Sequence, residues 1–583
     1  MKLAKKIKKD LAALFKDCFF ILIFCGNIKN IKIMTRQLIA SLIKKNILAL
    51  QREGIFPRFS VSEILVSRAA NSQFGDFTTS LAMKLVGQLR KNPIEIANLI
   101  KSQMESDKIA SKIFKRIEVA GPGFINFYLA DSYFQRRIAA ILKLGKKFGS
   151  NNFGRNKKVQ VEFISANPTG PLHLGNGRGG AIGNALANIL EFSGYKVEKE
   201  YYINDRGNQI RMLGVSTSAG KEFAQKNRLE ENIYQGEYIR QWEEKNKKLV
   251  ERYKNNLEEL GRRMAKDFLD KMIKPAVKKF GIKFDRWFSE KSLYNNGTVG
   301  KILEFLKDKN LVYMRDNALW FRAKNFGDAE DRVLIKSDGE TTYFLSDLAY
   351  HWNKFAVRKF RLVIDVWGAD HYGYLTRVKA GLQALKIPED KLTVIVMQLV
   401  RLIENGREIK MSKRAGTYVT LDELIDEVGA DVAKFFFLMS SPESHMDFDL
   451  ALAKERSEKN PVYYVQYAHA RLCAILRKCD KSKIQNSKFK NFNLLNHSSE
   501  LALIKALDYF PELVYDIAQN YEAHRLTHYA IGLAKLFHAF YRDCRVIGEK
   551  RELFETRLAL VLATQIVLKN LLDLIGVSAP EKM

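Results

Sequence analysis

The stretch from Lys157 to Ile203 constrains the fold more than any other part of the chain. An apolar run, VQVEFI, passes into a loop rich in glycine and proline, then into the helix pattern AIGNALANILEFSGY, then into a second strand pattern, KVEKEYYI. Strands joined through a helix, with no hairpin turn between them, form a βαβ unit and commit the chain to a parallel sheet. Downstream, RLVIDVWG and KLTVIVMQL are continuous apolar runs, as a sheet covered on both faces requires. The expected class is α/β with a Rossmann-type parallel sheet, whose ligands bind outside the carboxyl ends of its strands.

The flanking textures divide the rest. Residues 34–147 alternate helical periods (IEIANLIKSQME) with short strands (IEVAGPGFINFYL, turning at GPG 121–123), an α+β domain. Residues 148–438 hold the parallel sheet, with an insertion at about 219–330 whose charged helical part runs to about 285. Residues 439–583 read as all-α, broken by the cationic stretch RKCDKSKIQNSKFKNFN, a solvated loop. Lys2, Lys5, Lys6, Lys8 and Lys9 precede an apolar run from Cys18 to Cys25 within residues 1–33, the charge order of a signal peptide. Lys16 and Asp17 interrupt it, no small-x-small cleavage site follows, and the run is too short for a bilayer. Met34 opens a well-patterned helix, so 1–33 reads as an appendage or a misassigned start, and no membrane partner is expected.

Lys and Arg number 96 against 65 Asp and Glu, a net charge of +31. A nucleic-acid partner explains such an excess through counterion release, although a lysine-rich proteome gives the same number. Five scattered cysteines provide neither a disulfide framework nor a paired CxxC zinc site and point to a reducing, cytoplasmic compartment. His524 and His528 in HRLTH have the spacing of a zinc helix, but Arg525 stands where HExxH needs Glu, so no structural metal is expected.

Two segments carry chemistry. GNGRGG at 175–180 matches G-x-G-x-x-G, with Glu198 and Glu200 following, which raises a nicotinamide-dependent oxidoreductase. That fingerprint needs its first glycine at the strand's end, whereas ISANPTGPLHL separates the strand from Gly175. Taken as NPTGPLHLGN, the segment is instead a phosphate site at a helix N-terminus, with His173 and Asn176 as side-chain donors and Gly175 admitting close approach. The second is EIKMSKRAG at 408–416, where Lys410, Ser412, Lys413 and Arg414 precede the helix pattern LDELIDEVG. Such a cationic loop suits a leaving pyrophosphate.

In this order the two segments resemble the HIGH and KMSKS signatures of class I aminoacyl-tRNA synthetases. The finer resemblance is to the arginyl-tRNA synthetase family. It is carried by VEFISANPTGPLHLGN, YYINDRGNQI, DRVLIKSDGETTYFLSDLAYH, VWGADHYGY, KMSKRAGTYVTLDELIDEVG and PVYYVQYAHARL, with FGDFTTSLAMKL and VAGPGFINFYL resembling the family's N-terminal tRNA-contacting domain. The resemblance implies a class I catalytic domain between that domain and a C-terminal helical anticodon-binding domain. It also implies ATP with Mg²⁺ as a substrate complex, L-arginine and tRNA(Arg) as partners, an arginyl-adenylate intermediate, and a monomer. His173 and Asn176 would meet the ATP phosphates and Lys413 the transition state, with Gly175, Lys410 and Ser412 beside them. Gly368, Asp370 and His371 would hold the adenosine, and Ser165 and Asn167 the α-ammonium. Tyr343 and Asp347, four residues apart, would share a helix face toward the guanidinium, which needs a carboxylate. Tyr463, Tyr467 and Arg471 would grip the anticodon, with helix–helix packing the alternative for the tyrosines. Asn176 replaces the usual second His, Arg414 the last Ser of KMSKS, and Ser80 stands where the family often has Asn. A non-catalytic RNA-binding relative would have lost His173, Tyr343, Asp347 and Lys413; all four are present.

Overall fold

The structure, a computed structural model, describes residues 34–61, 63–229, 233–409, 419–479 and 492–583. The 1–33 stretch lies outside the described residues, as do Lys410, Ser412, Lys413 and Arg414 and most of the cationic break.

At the centre stands a five-stranded sheet: β1 (Lys158–Glu162), β2 (Lys196–Ile203), β3 (Arg286–Ser289), β4 (Leu362–Gly368) and β5 (Leu392–Met397). The spatial order is β5-β4-β1-β2-β3, and every neighbouring pair is parallel. The apolar runs read from the sequence supply its buried middle, Val159, Val161, Val363 and Ile364 among them. Separate hydrophobic clusters cover its two faces, and β4 and β5 are correspondingly near-continuous apolar runs.

The N-terminal domain begins with α1 (Thr35–Arg52), folds the hairpin Phe114–Ala120/Phe124–Leu129 around Gly121 and Gly123 (φ 53° and 119°), and ends in α2 (Asp131–Leu144). In the parallel-sheet domain, β1 leads into α3 (Leu174–Phe192) and α4 (Tyr343–Trp352) precedes β4; beyond β5 follow α5 (Leu421–Val428) and α6 (Ala430–Phe437). The C-terminal bundle contains α7 (Pro461–Lys478), α8 (Ser498–Asn520), α9 (Arg525–Asp543) and α10 (Arg551–Ile575). Helix α10 is long and apolar enough to cross a membrane, but it is largely buried as the bundle's central helix. The N-terminal domain docks on this bundle. Arg137 pairs with Asp508 at 2.5 Å, Thr35 donates to the same carboxylate at 2.7 Å, and Arg36 pairs with Glu512 and with Asp516.

Three sequence expectations change. Helix α3 begins at Leu174, not Ala181, so GNGRGG lies inside a helix. Glycine disfavours helix, yet a Cβ on Gly177 would meet Leu421 at 2.7 Å and one on Gly183 the Phe163 ring at 2.2 Å, so bare backbone lets α3 lie close to its neighbours. The insertion is not helical throughout: past β3 the helices Lys291–Asn295 and Thr298–Asp308 give way to Val312–Arg315, Ala318–Phe321 and Arg332–Ile335, which form a small antiparallel sheet before β4. Arg477 and Lys478, read as loop, close α7.

Candidate active site

The strand order reverses between β1 and β4, and the loops leaving their carboxyl ends open a crevice there. The loop after β1 is strained: Ile164 and Ser165 have φ of 68° and 37°, a left-handed conformation that costs non-glycine residues about 1–3 kcal/mol each. Side-chain bonds hold it. Ser165 Oγ donates to Glu162 at 3.1 Å and accepts from the Tyr202 amide at 3.0 Å. Asn167 accepts from Asn204 Nδ2 at 2.5 Å and donates to Gln209. Both polar atoms of Asn167 are thus oriented before any ligand arrives.

His173 is the residue at which α3 starts, and its backbone N–H donates to Asn176 Oδ1 at 3.0 Å. Asn176 thereby caps the helix with its oxygen and leaves its amide N–H₂ at the positive end of the helix dipole. A Cβ on Gly175 would lie 3.0 Å from the His173 ring, so only glycine leaves that ring its place. His173 also forms an antiparallel bridge with Thr420, and the Leu421 amide donates to the Leu172 carbonyl at 2.8 Å. Thr420, the cap of α5, and Leu421, its first residue, thus lie beside His173. Just before Lys410, the Ile409 amide donates to Leu402 at 2.9 Å.

Helix α4 presents Tyr343 and Asp347 on one face, as their spacing requires; Tyr343 is exposed and Asp347 half-buried. Tyr374 OH donates to Asp347 Oδ2, while burial raises the Asp347 pKa above the ordinary carboxylate range. Opposite stands Glu290, one residue past β3. It is buried, its Oε2 has no hydrogen-bond partner among the described residues, and burial together with the Asp347 charge pushes it up to about 7 although Arg206 opposes the rise. Tyr202 OH, also buried, has no partner among the described residues either. Two carboxylates whose pKa values burial raises and an unpartnered phenol make a pocket able to take a further positive group. Below it Lys354, wholly buried, bonds Glu162 at 2.7 Å and Asp365 at 3.0 Å. Burial opposes that ammonium, but the two carboxylates win and hold its pKa above the ordinary value. Tyr350 OH joins Glu162 at 2.7 Å to Glu200 at 2.5 Å, so the floor ties β1, β2 and β4 to α4. Sequence reasoning missed Glu290 and Lys354, although a carboxylate just beyond a strand end is a signal for the first.

After β4, the Asp370 carboxylate folds back over Gly368, where a Cβ would lie 2.5 Å from Oδ1. His371 lies 3.5 Å from Asp370 and its ring 6.2 Å from that of Trp367, exposed at the crevice mouth.

Far from the crevice, Tyr463 and Tyr467 stack with centroids 6.2 Å apart and planes 7° from parallel. Arg471 donates to Tyr467 OH at 2.7 Å, and its guanidinium lies 4.8 Å from the Tyr467 ring and 4.5 Å from that of Tyr541. Tyr467, Arg471, Arg477, Tyr541 and Arg545 line a cavity of about 670 Å³. His528 Nε2 is occupied by the Met439 carbonyl at 2.9 Å, and among the described residues no cluster of three His, Cys, Asp or Glu forms a metal cage.

A parallel sheet with this reversal, a His-led helix at its carboxyl edge and a helical C-terminal bundle define a class I aminoacyl-tRNA synthetase. Three family models match: the arginyl tRNA synthetase N terminal domain over residues 37–129, the tRNA synthetases class I (R) catalytic domain over 137–436, and the DALR anticodon binding domain over 465–583. The arginine--tRNA ligase of Caldanaerobacter subterraneus subsp. tengcongensis is 43% identical over 573 residues, covering 95% of this chain and 100% of the relative. That of Geobacter sp. strain M21 is 43% identical over 562 residues, covering 94% and 100%. The chain belongs to the arginyl-tRNA synthetase family. Solved structures share the fold: Thermus thermophilus arginyl-tRNA synthetase (TM-score 0.73, 23% identity, 94% of this chain and 100% of that one) and the Plasmodium falciparum enzyme (0.71, 20%, 94% and 99%).

Proposed function

We propose that the protein is an arginine--tRNA ligase that works in two steps on the residues described. The arginine carboxylate attacks the α-phosphorus of ATP, the bond to pyrophosphate breaks, and arginyl-adenylate forms. The 2′-hydroxyl of the terminal tRNA ribose then attacks the activated carbonyl, and AMP leaves. The observation that carries the ATP site is the backbone pairing of His173, at the start of α3, with Thr420, four residues past the second signature segment. The α3 N-terminus, His173 and the Asn176 amide receive the phosphates, with Gly175 leaving room. Lys410, Ser412 and Lys413 face the departing pyrophosphate, and Mg²⁺ enters with ATP.

Asp347 and Glu290 take the guanidinium between them, Tyr343 covers it, and Ser165 and Asn167 each offer a remaining oxygen lone pair to the α-ammonium. Gly368, Asp370 and His371 receive the adenosine at the reversal point. Tyr467, Arg471 and Tyr541 accept an unstacked anticodon base in their cavity, with Tyr463 stacked behind. In this reading residues 34–147 contact tRNA, 148–438 catalyse and 439–583 bind the anticodon, in a monomeric cytoplasmic enzyme without a structural metal. The test is aminoacylation of total tRNA with radiolabelled arginine against the other amino acids. Charging with another amino acid and not arginine refutes the assignment.

A further inference from the structure

The inward side of α3 carries a cation that no carboxylate answers. Arg178, the fourth residue of GNGRGG, is wholly buried and heads the largest fully buried side chains among the described residues. Its Nη1 donates to the Gln398 carbonyl at 2.8 Å, and its Nη2 to the Ser441 and Ser444 carbonyls at 2.7 and 3.0 Å. Nε has no partner among the described residues, and burial pulls the pKa down to about 10. Burying an unpaired cation is costly, and an apolar side chain of similar volume commonly serves stability as well or better. Stability therefore does not account for Arg178, whereas its geometry does. A planar fork can bridge carbonyls on separate segments, which a lysine point charge cannot.

The segments it bridges are the turn after β5 and the connector between α6 and the bundle, which are themselves joined by the Gln398 amide donating to Pro442 at 2.9 Å. From the other side the bundle grips the same connector. Thr527 Oγ1 donates to the Leu438 carbonyl at 3.1 Å, and His528 meets Met439 at 2.9 Å, both from α9. The opposite end of α9 carries Tyr541 of the anticodon cavity. Gly177 and Gly179 pack beside Arg178 on Leu421 and Met397, so this side of the first turns of α3 has no other long side chain to reach the connector.

We propose that Arg178 is a positioning residue that registers the ATP-binding end of α3 against the 438–444 connector, so that the placement of His173 and Asn176 depends on where the helical domain holds that connector. This rests on the assignment of His173 and Asn176 to the phosphates. The test compares Arg178→Lys and Arg178→Met with the wild type in the full chain, by titration with a non-hydrolysable ATP analogue, titration with L-arginine, thermal melting, and hydrogen exchange at residues 172–178 and 438–446. Both variants are expected to stay folded and to bind the analogue about tenfold or more weakly, since ångström displacements of a site are costly. Arginine affinity stays unchanged, because its pocket lies on the β1 loop, α4 and β3, and exchange quickens at both segments together. The proposal is overturned if a folded Arg178→Lys protein binds the analogue as the wild type does, if both ligands weaken alike, or if exchange quickens in α3 alone. Should Arg178→Met fail to fold, Arg178→Lys decides. A wild type that binds the analogue but does not charge tRNA with arginine refutes the functional reading and leaves the analogue titration to judge Arg178.

Discussion

Glu290→Gln separates the stability of the empty pocket from its function. Burial and the neighbouring carboxylates lift Glu290 from an ordinary 4.5 to about 7. That rise corresponds to about 3 kcal/mol disfavouring the ionised form in the free protein. The folded state holds this proton more tightly than the unfolded chain does. The group's contribution to stability is therefore fully present below about 4.5, declines as pH climbs, and is lost above about 7. Glutamine keeps the shape and cannot ionise. The free variant should exceed the wild type in stability by up to about 3 kcal/mol at pH 8.5, with the gap falling to roughly 1.4 kcal/mol at pH 5.5. Melting curves at the two pH values read this as a rise of several degrees that shrinks on acidification. Saturating arginine should then stabilise the wild type more than the variant, because the guanidinium adds a cation against a carboxylate that burial disfavours. A variant no more stable than the wild type at pH 8.5, or a gap that ignores pH, refutes the reasoning.

Asp347→Asn should raise the Michaelis constant for arginine and relax selectivity, since the guanidinium loses a buried counter-ion at a cost of about 2–5 kcal/mol; an unchanged constant assigns recognition to another carboxylate. For Lys413→Ala, turnover in pyrophosphate exchange should drop by orders of magnitude with little change in ATP affinity, because the contact forms as charge leaves; normal turnover with a raised ATP requirement would make Lys413 a binding residue only. Tyr467→Ala and Tyr463→Ala should melt near the wild type yet no longer distinguish native from altered anticodons, with the Phe variants intermediate. Full discrimination by a stable Ala variant ends that role, and charging lost only in step with folding returns the tyrosines to packing.

Much of the sheet was legible because β4 and β5 are near-continuous apolar runs and because β1 and β2 flank a helix in a βαβ spacing. β3 was not. Its four residues include an exposed Arg286, and only its pairing with β2 makes it a strand. The start of α3 was misread for a related reason: glycine's weak helix propensity is local, whereas the contacts that reward its missing side chain, Leu421 and Phe163, come from distant sequence. In the site, Tyr343 and Asp347 could be paired from their spacing alone, since i and i+4 share a helix face. Glu290 could not be joined to them before the sheet order placed the end of β3 near α4. Lys354 reads as a surface lysine in any window of sequence, and only the convergence of Glu162 and Asp365 from two strands explains its burial.

The docking of α1 and α2 on α8 makes the N-terminal domain and the helical bundle neighbours, with the parallel-sheet domain between them in sequence. A fragment lacking the first domain would leave Asp508 and Glu512, both almost fully buried, as bare carboxylates in an opened apolar seam. A fragment lacking the last would strand Arg36 and Arg137. Dissection at either junction is thus expected to yield sticky, poorly soluble pieces. A cut at an exposed loop inside the middle domain leaves halves that still carry complementary surfaces, and so favours split reconstitution.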